Sequence, residues 1–172
     1  FVVYDRTRKG PAVPNGSIGS RYGEEGTWNL EMRDCYDRAD LDPALSCADL
    51  DDAGTEWRLV SFPVFFSGRP SLRKGAAPVR RLTVAGPDGK RERLVTTVFD
   101  ILAASLAVDR GHGGDVASGY GDARAYATPA WQEPITGVPA EDMIRVAREF
   151  ADNAERTGGR SMIIMGAGIN HW

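Results

Sequence analysis

Met143-Ile144-Arg-Val-Ala147-Arg-Glu-Phe150-Ala151-Asp-Asn-Ala154-Glu-Arg156-Thr-Gly158-Gly159-Arg-Ser161-Met-Ile-Ile-Met165-Gly166-Ala-Gly168-Ile-Asn170-His171-Trp172 decides the fold class. Met143, Ala147, Phe150 and Ala154, with Ile144 and Ala151, recur at helical spacing and predict one broad apolar face. Pro139 suits the first turn, and Glu141 and Asp142 oppose the positive end of the helix dipole. Arg156 sits at the negative end, and Gly158-Gly159 stops the helix. Ser161 to Met165 then reads as a buried strand running into a glycine turn. Helix, two-glycine turn, strand and glycine turn make one step of a parallel α/β sheet. The expected architecture is therefore α/β: a Rossmann-like parallel-sheet segment with an added β-hairpin and long loops. Phe1-Val-Val-Tyr4 opens inside an apolar run without an initiator Met, and the glycine turn has no helix after it. Both ends lead us to expect a piece of a larger, multidomain chain.

The stretch before this step divides in two. Residues 1–56 read as a loop-rich segment with an initial strand, and 57–172 as the α/β segment, one incomplete domain. Asn15-Gly16 and Pro14 mark turns. Asp49-x-Asp51 followed by Gly54 has a faint likeness to a calcium loop, but Ala53 and Val60 occupy two ligand positions, so residues 34 to 56 read as a solvated acidic loop. Trp57 to Phe66 reads as extended chain, with Pro63 arguing against a central strand. Val79–Ala85 and Arg91–Thr97 flank Gly86-Pro-Asp88-Gly89, a hairpin signature. Thr97-Val-Phe-Asp100 resembles a capping box and opens a helix with Val98, Ile101, Leu102 and Leu106 on one face. Gly111-His-Gly-Gly114 and Gly119-Tyr-Gly121 predict a loop, and Thr128 to Pro139 a turn-rich lead into the last helix, with Trp131 as core.

Composition narrows the function classes. The chain has 172 residues, a 42% apolar fraction and a net charge of −3 with mixed signs. That suffices for a core and argues against a general nucleic-acid binder. No apolar run approaches the ~20 residues of a membrane span. The basic residues are almost all Arg and read as solvated surface. Cys35 and Cys47 make neither a disulfide framework nor a metal pair, and both are expected to be unligated thiols. The only histidines are His112 and His171. There is no G-x-S-x-G, H-E-x-x-H or P-loop.

Two features remain that could carry chemistry. Gly166-x-Gly168 after an apolar strand lets backbone N–H groups approach a ligand closely, although a tight turn alone would look the same. The third glycine of a dinucleotide fingerprint is replaced by His171. Asn170 and His171 at a strand's carboxyl end would face the crevice where α/β ligands bind; the bland reading is a helix cap and a satisfied seam histidine. Glu133 is a weak candidate acid.

Several segments together resemble a known family. Thr128-Pro-Ala-Trp-Gln-Glu, Ile135-Thr-Gly-Val-Pro, Ile144-Arg-Val-Ala-Arg-Glu-Phe-Ala-Asp-Asn-Ala and Gly159-Arg-Ser-Met-Ile-Ile-Met-Gly-Ala-Gly-Ile-Asn-His-Trp are similar to the catalytic (alpha) subunit of membrane-bound respiratory nitrate reductase, a molybdopterin oxidoreductase. The likeness is dense from Val79 and patchy before it, through Gly16-Ser-Ile-Gly19, Trp28-Asn-Leu30 and Phe62-Pro63. It implies a parent that reduces nitrate to nitrite with molybdenum held by two molybdopterin guanine dinucleotides, and with a 4Fe-4S cluster. It implies a beta iron–sulfur subunit, a gamma cytochrome b membrane subunit and a place on the cytoplasmic face of the membrane. By the same resemblance Gly166, Gly168, Asn170 and His171 are the expected cofactor-binding residues. Nothing here matches the family's molybdenum or cluster ligands, so the isolated piece is expected to be inactive. Two other readings compete: a nicotinamide-binding Rossmann-type reductase, and a non-catalytic interaction segment using the loop from Asp5 to Glu56. Nitrite oxidation or chlorate chemistry in the parent is a further variant.

Overall fold

The computed structural model describes residues 2–12, 41–50, 53–64, 71–86 and 89–164, without the side chains of residues 85 and 86. The described chain forms two compact units, 1–115 and 116–172.

The first unit is built on antiparallel strands. β1 (Val3–Asp5) pairs with β2 (Gly10–Ala12). β3 (Thr55–Val64), β4 (Ser71–Gly86) and β5 (Gly89–Val95) form a second sheet in that order. β4 is long enough to serve two partners in succession: Ser71 to Arg80 face β3, and Arg80 to Gly86 face β5. The hairpin thus forms as expected, with Gly86 paired to Gly89, while β4 begins eight residues earlier than the expected Val79. Pro63 lies in β3, an edge strand, where a missing donor is tolerated.

Helix α1 (Val98–Ser105) follows β5. Its start is as expected: the Thr97 hydroxyl accepts the Asp100 N–H at 3.1 Å. Its buried face is not. Asp100, Ala103, Ala104 and Ala107 are buried, whereas Val98 is 86% and Leu102 53% exposed, with Ile101 and Leu106 also exposed. The helix turns its small residues inward because the surface it meets has no room for large ones. A Cβ on Gly75 would stand 2.2 Å from the Ala104 carbonyl oxygen. Arg73 extends from the same stretch of β4 and donates to the Ala104 carbonyl (3.1 Å) and to that of Ser105, satisfying acceptors at the helix's end. The loop beyond covers the other edge of β4. Asp115 N donates to the Lys74 carbonyl at 2.7 Å, Lys74 N donates to the Asp115 carboxylate at 2.8 Å, and Gly75 bridges to Gly114.

The second unit is helical. α3 (Ala140–Thr157) has the expected extent and ending, with Gly158 at φ 66° donating to the Ala154 carbonyl. Its apolar face is present but exposed: Met143, Val146 and Phe150 are 39–55% exposed. The lead into it is itself a helix, α2 (Pro129–Thr136), where turns were expected. Thr128 caps it by accepting the Trp131 N–H, Pro129 occupies its first turn, and Gly137 closes it at φ 73°. Of the prolines that read as turn signals, Pro129 sits at the helix start, where its missing N–H costs nothing, whereas Pro134 lies inside the helix. Trp131 is half-buried, edge-on to Tyr126 at 4.9 Å. After α3, Ser161 to Ile164 carry no strand pairing, so the described strands are all antiparallel and the α/β class holds in its broad sense.

Gly75→Ala is expected to destabilise the β4–α1 contact by about 1–3 kcal/mol, since backbone and not a flexible side chain meets the new Cβ. Hydrogen exchange on β4 and α1 peptides, in the full-length protein carrying this chain, would then accelerate roughly 5- to 150-fold. Gly121→Ala, where a Cβ meets open space, should change little.

Candidate functional site

The four residues expected at a cofactor, Gly166, Gly168, Asn170 and His171, lie outside the described residues, as does Cys35. The chain leading to them is described. Ser161 donates its hydroxyl to the Phe150 carbonyl (2.9 Å) and accepts from the Asn153 amide (2.9 Å), whose nitrogen also reaches the Arg160 carbonyl at 3.1 Å. Two side chains thus fix the exit from α3. Met162, Ile163 and Ile164 then follow, each more than 70% exposed. They were expected as a buried strand; among the described residues nothing pairs with them, and they stand exposed.

The densest polar arrangement among the described residues surrounds Asp100. Its side chain has no solvent exposure. One oxygen receives the Ser46 hydroxyl at 2.6 Å and the Arg110 guanidinium at 2.6 Å. The other receives the Cys47 N–H at 2.8 Å and the Thr97 hydroxyl at 2.8 Å, with the Thr96 hydroxyl oxygen 3.3 Å away and its one hydrogen directed at the Pro78 carbonyl, 2.6 Å distant. Burial by itself raises the Asp100 pKa, but the bonds from Ser46, Arg110, Cys47 and Thr97 outweigh it and hold the carboxyl below the ordinary aspartate range. An acid so committed is a poor proton donor at neutral pH. The residues expected to form a solvated loop are therefore tied down over 41–50: Ser46 and Cys47 to Asp100, Pro43 bridged to Asp5, and Ala44 N to the Tyr4 carbonyl at 2.8 Å.

The neighbouring groups are likewise engaged. Cys47 is a free, buried thiol whose pKa is pushed up by burial and by the Asp100 carboxylate, so it stays protonated and unreactive. Arg110 lies 5.0 Å from the Trp57 ring centroid, and His112 stacks on the same indole at 3.6 Å with planes 12° apart. Arg80 reaches the Thr55 hydroxyl at 3.1 Å and lies over Tyr4. The Glu133 carboxylate accepts the Ala140 N–H at 3.2 Å and so steadies the start of α3, which accounts for an acid at that position. Asp122, exposed, is held below the ordinary range by the Ser118 backbone and hydroxyl and by Arg124 N. No group of three or more His, Cys, Asp or Glu able to hold a metal occurs among the described residues. No described helix is long and apolar enough to cross a membrane. The capping pattern at Thr97 gave a local signal for Asp100; its pairing with Ser46, 54 residues away, left none in the sequence.

The Asp100 assembly predicts a pH dependence. A depressed folded-state pKa contributes stability that is complete above the ordinary aspartate value, ~3.9, and is lost as pH falls through the lower folded value. Cys47 labelling by 4,4′-dithiodipyridine, which reacts in acid, and site-resolved mass spectrometry should show protection above that value and exposure below it. Asp100→Asn, which leaves Arg110 without its charge partner, should cost about 3 kcal/mol and label Cys47 at every pH tested.

No family model matches the chain. Curated relatives do. The Escherichia coli respiratory nitrate reductase 1 alpha chain is 47% identical over 170 residues, covering 93% of this chain and 13% of its own length. The Bacillus subtilis nitrate reductase alpha chain is 39% identical, covering 99% of this chain and 13% of itself. The Mycobacterium tuberculosis nitrate reductase alpha subunit is 46% identical over 168 residues, covering 93% of this chain and 12% of itself. The chain spans about an eighth of the length of these relatives. Over nearly its whole length, then, this sequence is the counterpart of one stretch of the nitrate reductase alpha chains.

Proposed function

We propose that this chain is part of the catalytic alpha subunit of a molybdenum-dependent respiratory nitrate reductase, which converts nitrate to nitrite. The observation that carries the reading is identity of 39–47% to three nitrate reductase alpha chains across at least 93% of the chain. The parent would hold bis(molybdopterin guanine dinucleotide) molybdenum and a 4Fe-4S cluster. It would receive electrons through a beta iron–sulfur subunit from a gamma cytochrome b subunit, at the cytoplasmic face of the membrane.

The described residues do not fit as ligands of either metal group. Asp100 is saturated by its donors, Cys47 is buried and protonated, and no cluster of ligating side chains occurs among them. In this reading molybdenum and cluster are held elsewhere in the parent, and no chemical step runs through Asp100 or Cys47. When bound, the molybdenum cofactor supplies the oxygen-atom transfer. This chain's part is to bind and orient. The turn Gly166-Ala-Gly168 would bring backbone N–H groups against a pterin dinucleotide, with Asn170 and His171 as side-chain contacts. Helix α3, joined to Ser161 through Asn153 and the Phe150 carbonyl, is the described support from which that turn departs.

The test uses the full-length parent with its partner subunits, assayed together for molybdenum content and viologen-driven nitrate reduction. Asn170→Ala and His171→Ala should each lower both by roughly tenfold, the scale of one lost hydrogen bond to a bound cofactor. A wild-type parent that is metal-free, or inert with nitrate, would overturn the function. Variants equal to an active wild type would reduce the turn to packing.

A further inference from the structure

The first unit carries an apolar groove beside the Asp100 assembly, with Cys47, Thr96 and Thr97 in the walls of both. Its volume is about 470 Å³, and its walls include Tyr4, Leu45, Leu82, Val84, Val95 and Phe99. Its rim is apolar as well: Val98, which also lines it, is 86% exposed and Leu45 61%. Among the described residues no carboxylate lines it. The register of the β4–β5 hairpin sets the charge beside it. Arg93 stands opposite Leu82 and Arg91 opposite Val84, so strand alternation places both arginines on the face of the sheet that supplies Leu82, Val84 and Val95 to the groove. Both are exposed. Glu92, the one acid within strands β4 and β5, lies on the opposite face, paired with Arg81 at 3.0 Å. The surface is therefore an apolar slot bordered by two guanidinium groups on one flank.

Apolar surface of this kind is rarely left to water. We propose that the groove seats a segment of the same alpha polypeptide from outside these 172 residues, one with apolar anchors and a carboxylate placed to meet Arg93. The proposal rests on the reading of this chain as part of a longer alpha subunit. One observation and one general consideration favour that occupant. The curated relatives devote only 12–13% of their length to this stretch, so most of the surface available to it belongs to the same polypeptide. A tethered segment also acts at an effective concentration of about millimolar, enough to fill a shallow slot. Charge argues against a second copy. A two-fold contact centred on the groove would set the Arg91–Arg93 flank against itself.

The experiment places the photoreactive residue p-benzoylphenylalanine at position 99, and separately at position 45, in the full-length parent with its partner subunits. Cross-linked peptides are then mapped by mass spectrometry. Both probes should capture one segment of the same chain, outside the 172 residues, that contains apolar residues and an Asp or Glu. Arg93→Glu should lower the yield about fivefold, equivalent to ~1 kcal/mol, whereas Arg93→Lys should retain most of it. Capture of a partner subunit, a second copy or residues 13–40, or no capture, would overturn the assignment. So would a same-chain cross-link indifferent to Arg93→Glu. Nitrate turnover measured on the same preparation separates the two readings. Active enzyme with cross-links elsewhere defeats the groove alone, and inert, metal-free protein with the expected cross-link defeats the nitrate reading alone.

Discussion

A carboxylate removed from water costs several kcal/mol unless its lone pairs are filled, and the burial of Asp100 fixes much of the first unit for that reason. Its donors come from three separate places in the chain. Thr97 lies at the start of α1, Ser46 and Cys47 in the 41–50 loop, and Arg110 in the loop beyond the helix. None can move away without leaving charge uncompensated. The same carboxylate raises the Cys47 pKa and holds Arg110 near Trp57, on which His112 stacks. Thr96 adds a second tie, donating to the Pro78 carbonyl of β4 at 2.6 Å. One buried charge thus joins loop, sheet and helix.

The second constraint is steric. Where Gly75 of β4 meets the Ala104 carbonyl there is no space for even a methyl group, and the chain answers with alanines at 103 and 104 in the helix and at 107 just past it. Arg73 then supplies donors to the carbonyls at the helix end. Close packing of small groups explains why the large side chains of α1 point outward, against the ordinary expectation that they define the buried face.

Signals written within a few residues were legible in the sequence. The hairpin about Gly86 and Gly89, the Thr97 cap, the two-glycine end of α3 and the extended run from Trp57 all form as their local chemistry dictates. So was the family, because short motifs spread along the chain matched together. Signals that depend on distant partners were not. Hydrophobicity placed Val98, Leu102 and Leu106 inside α1, since a helical period says which residues share a face but not that a glycine opposite admits only small ones. α2 was hidden by Pro129, Pro134 and Gly137, residues that mark turns in isolation but here occupy the first turn, the interior and the left-handed end of a helix. The loop at 41–50 read as solvated because its acidic composition carries no sign of the Ser46–Asp100 bond. The glycine turn with Asn170 and His171 falls beyond the described residues, so its standing as a cofactor contact rests on the resemblance and on position after α3.

The distribution of side-chain size bears on what this stretch is for. The buried apolar residues described are mostly alanine, with Val79 and Cys47. Full burial of a Leu, Ile, Met or Phe is worth about 1.5–3 kcal/mol, and those side chains are the ones left outside: Leu102 and Leu106 on α1, Met143 and Phe150 on α3, and Met162 to Ile164 after it. Such a pattern gives little stability to the stretch by itself and much to whatever covers it. Polar ties set the local geometry first, through Asp100 in one unit and through Asn153 and Ser161 in the other. The large apolar residues are then held in fixed positions for neighbouring surfaces to bury. The proposed place of this stretch within a longer alpha chain would call for that division: internal order from hydrogen bonds, and adhesion from exposed apolar faces.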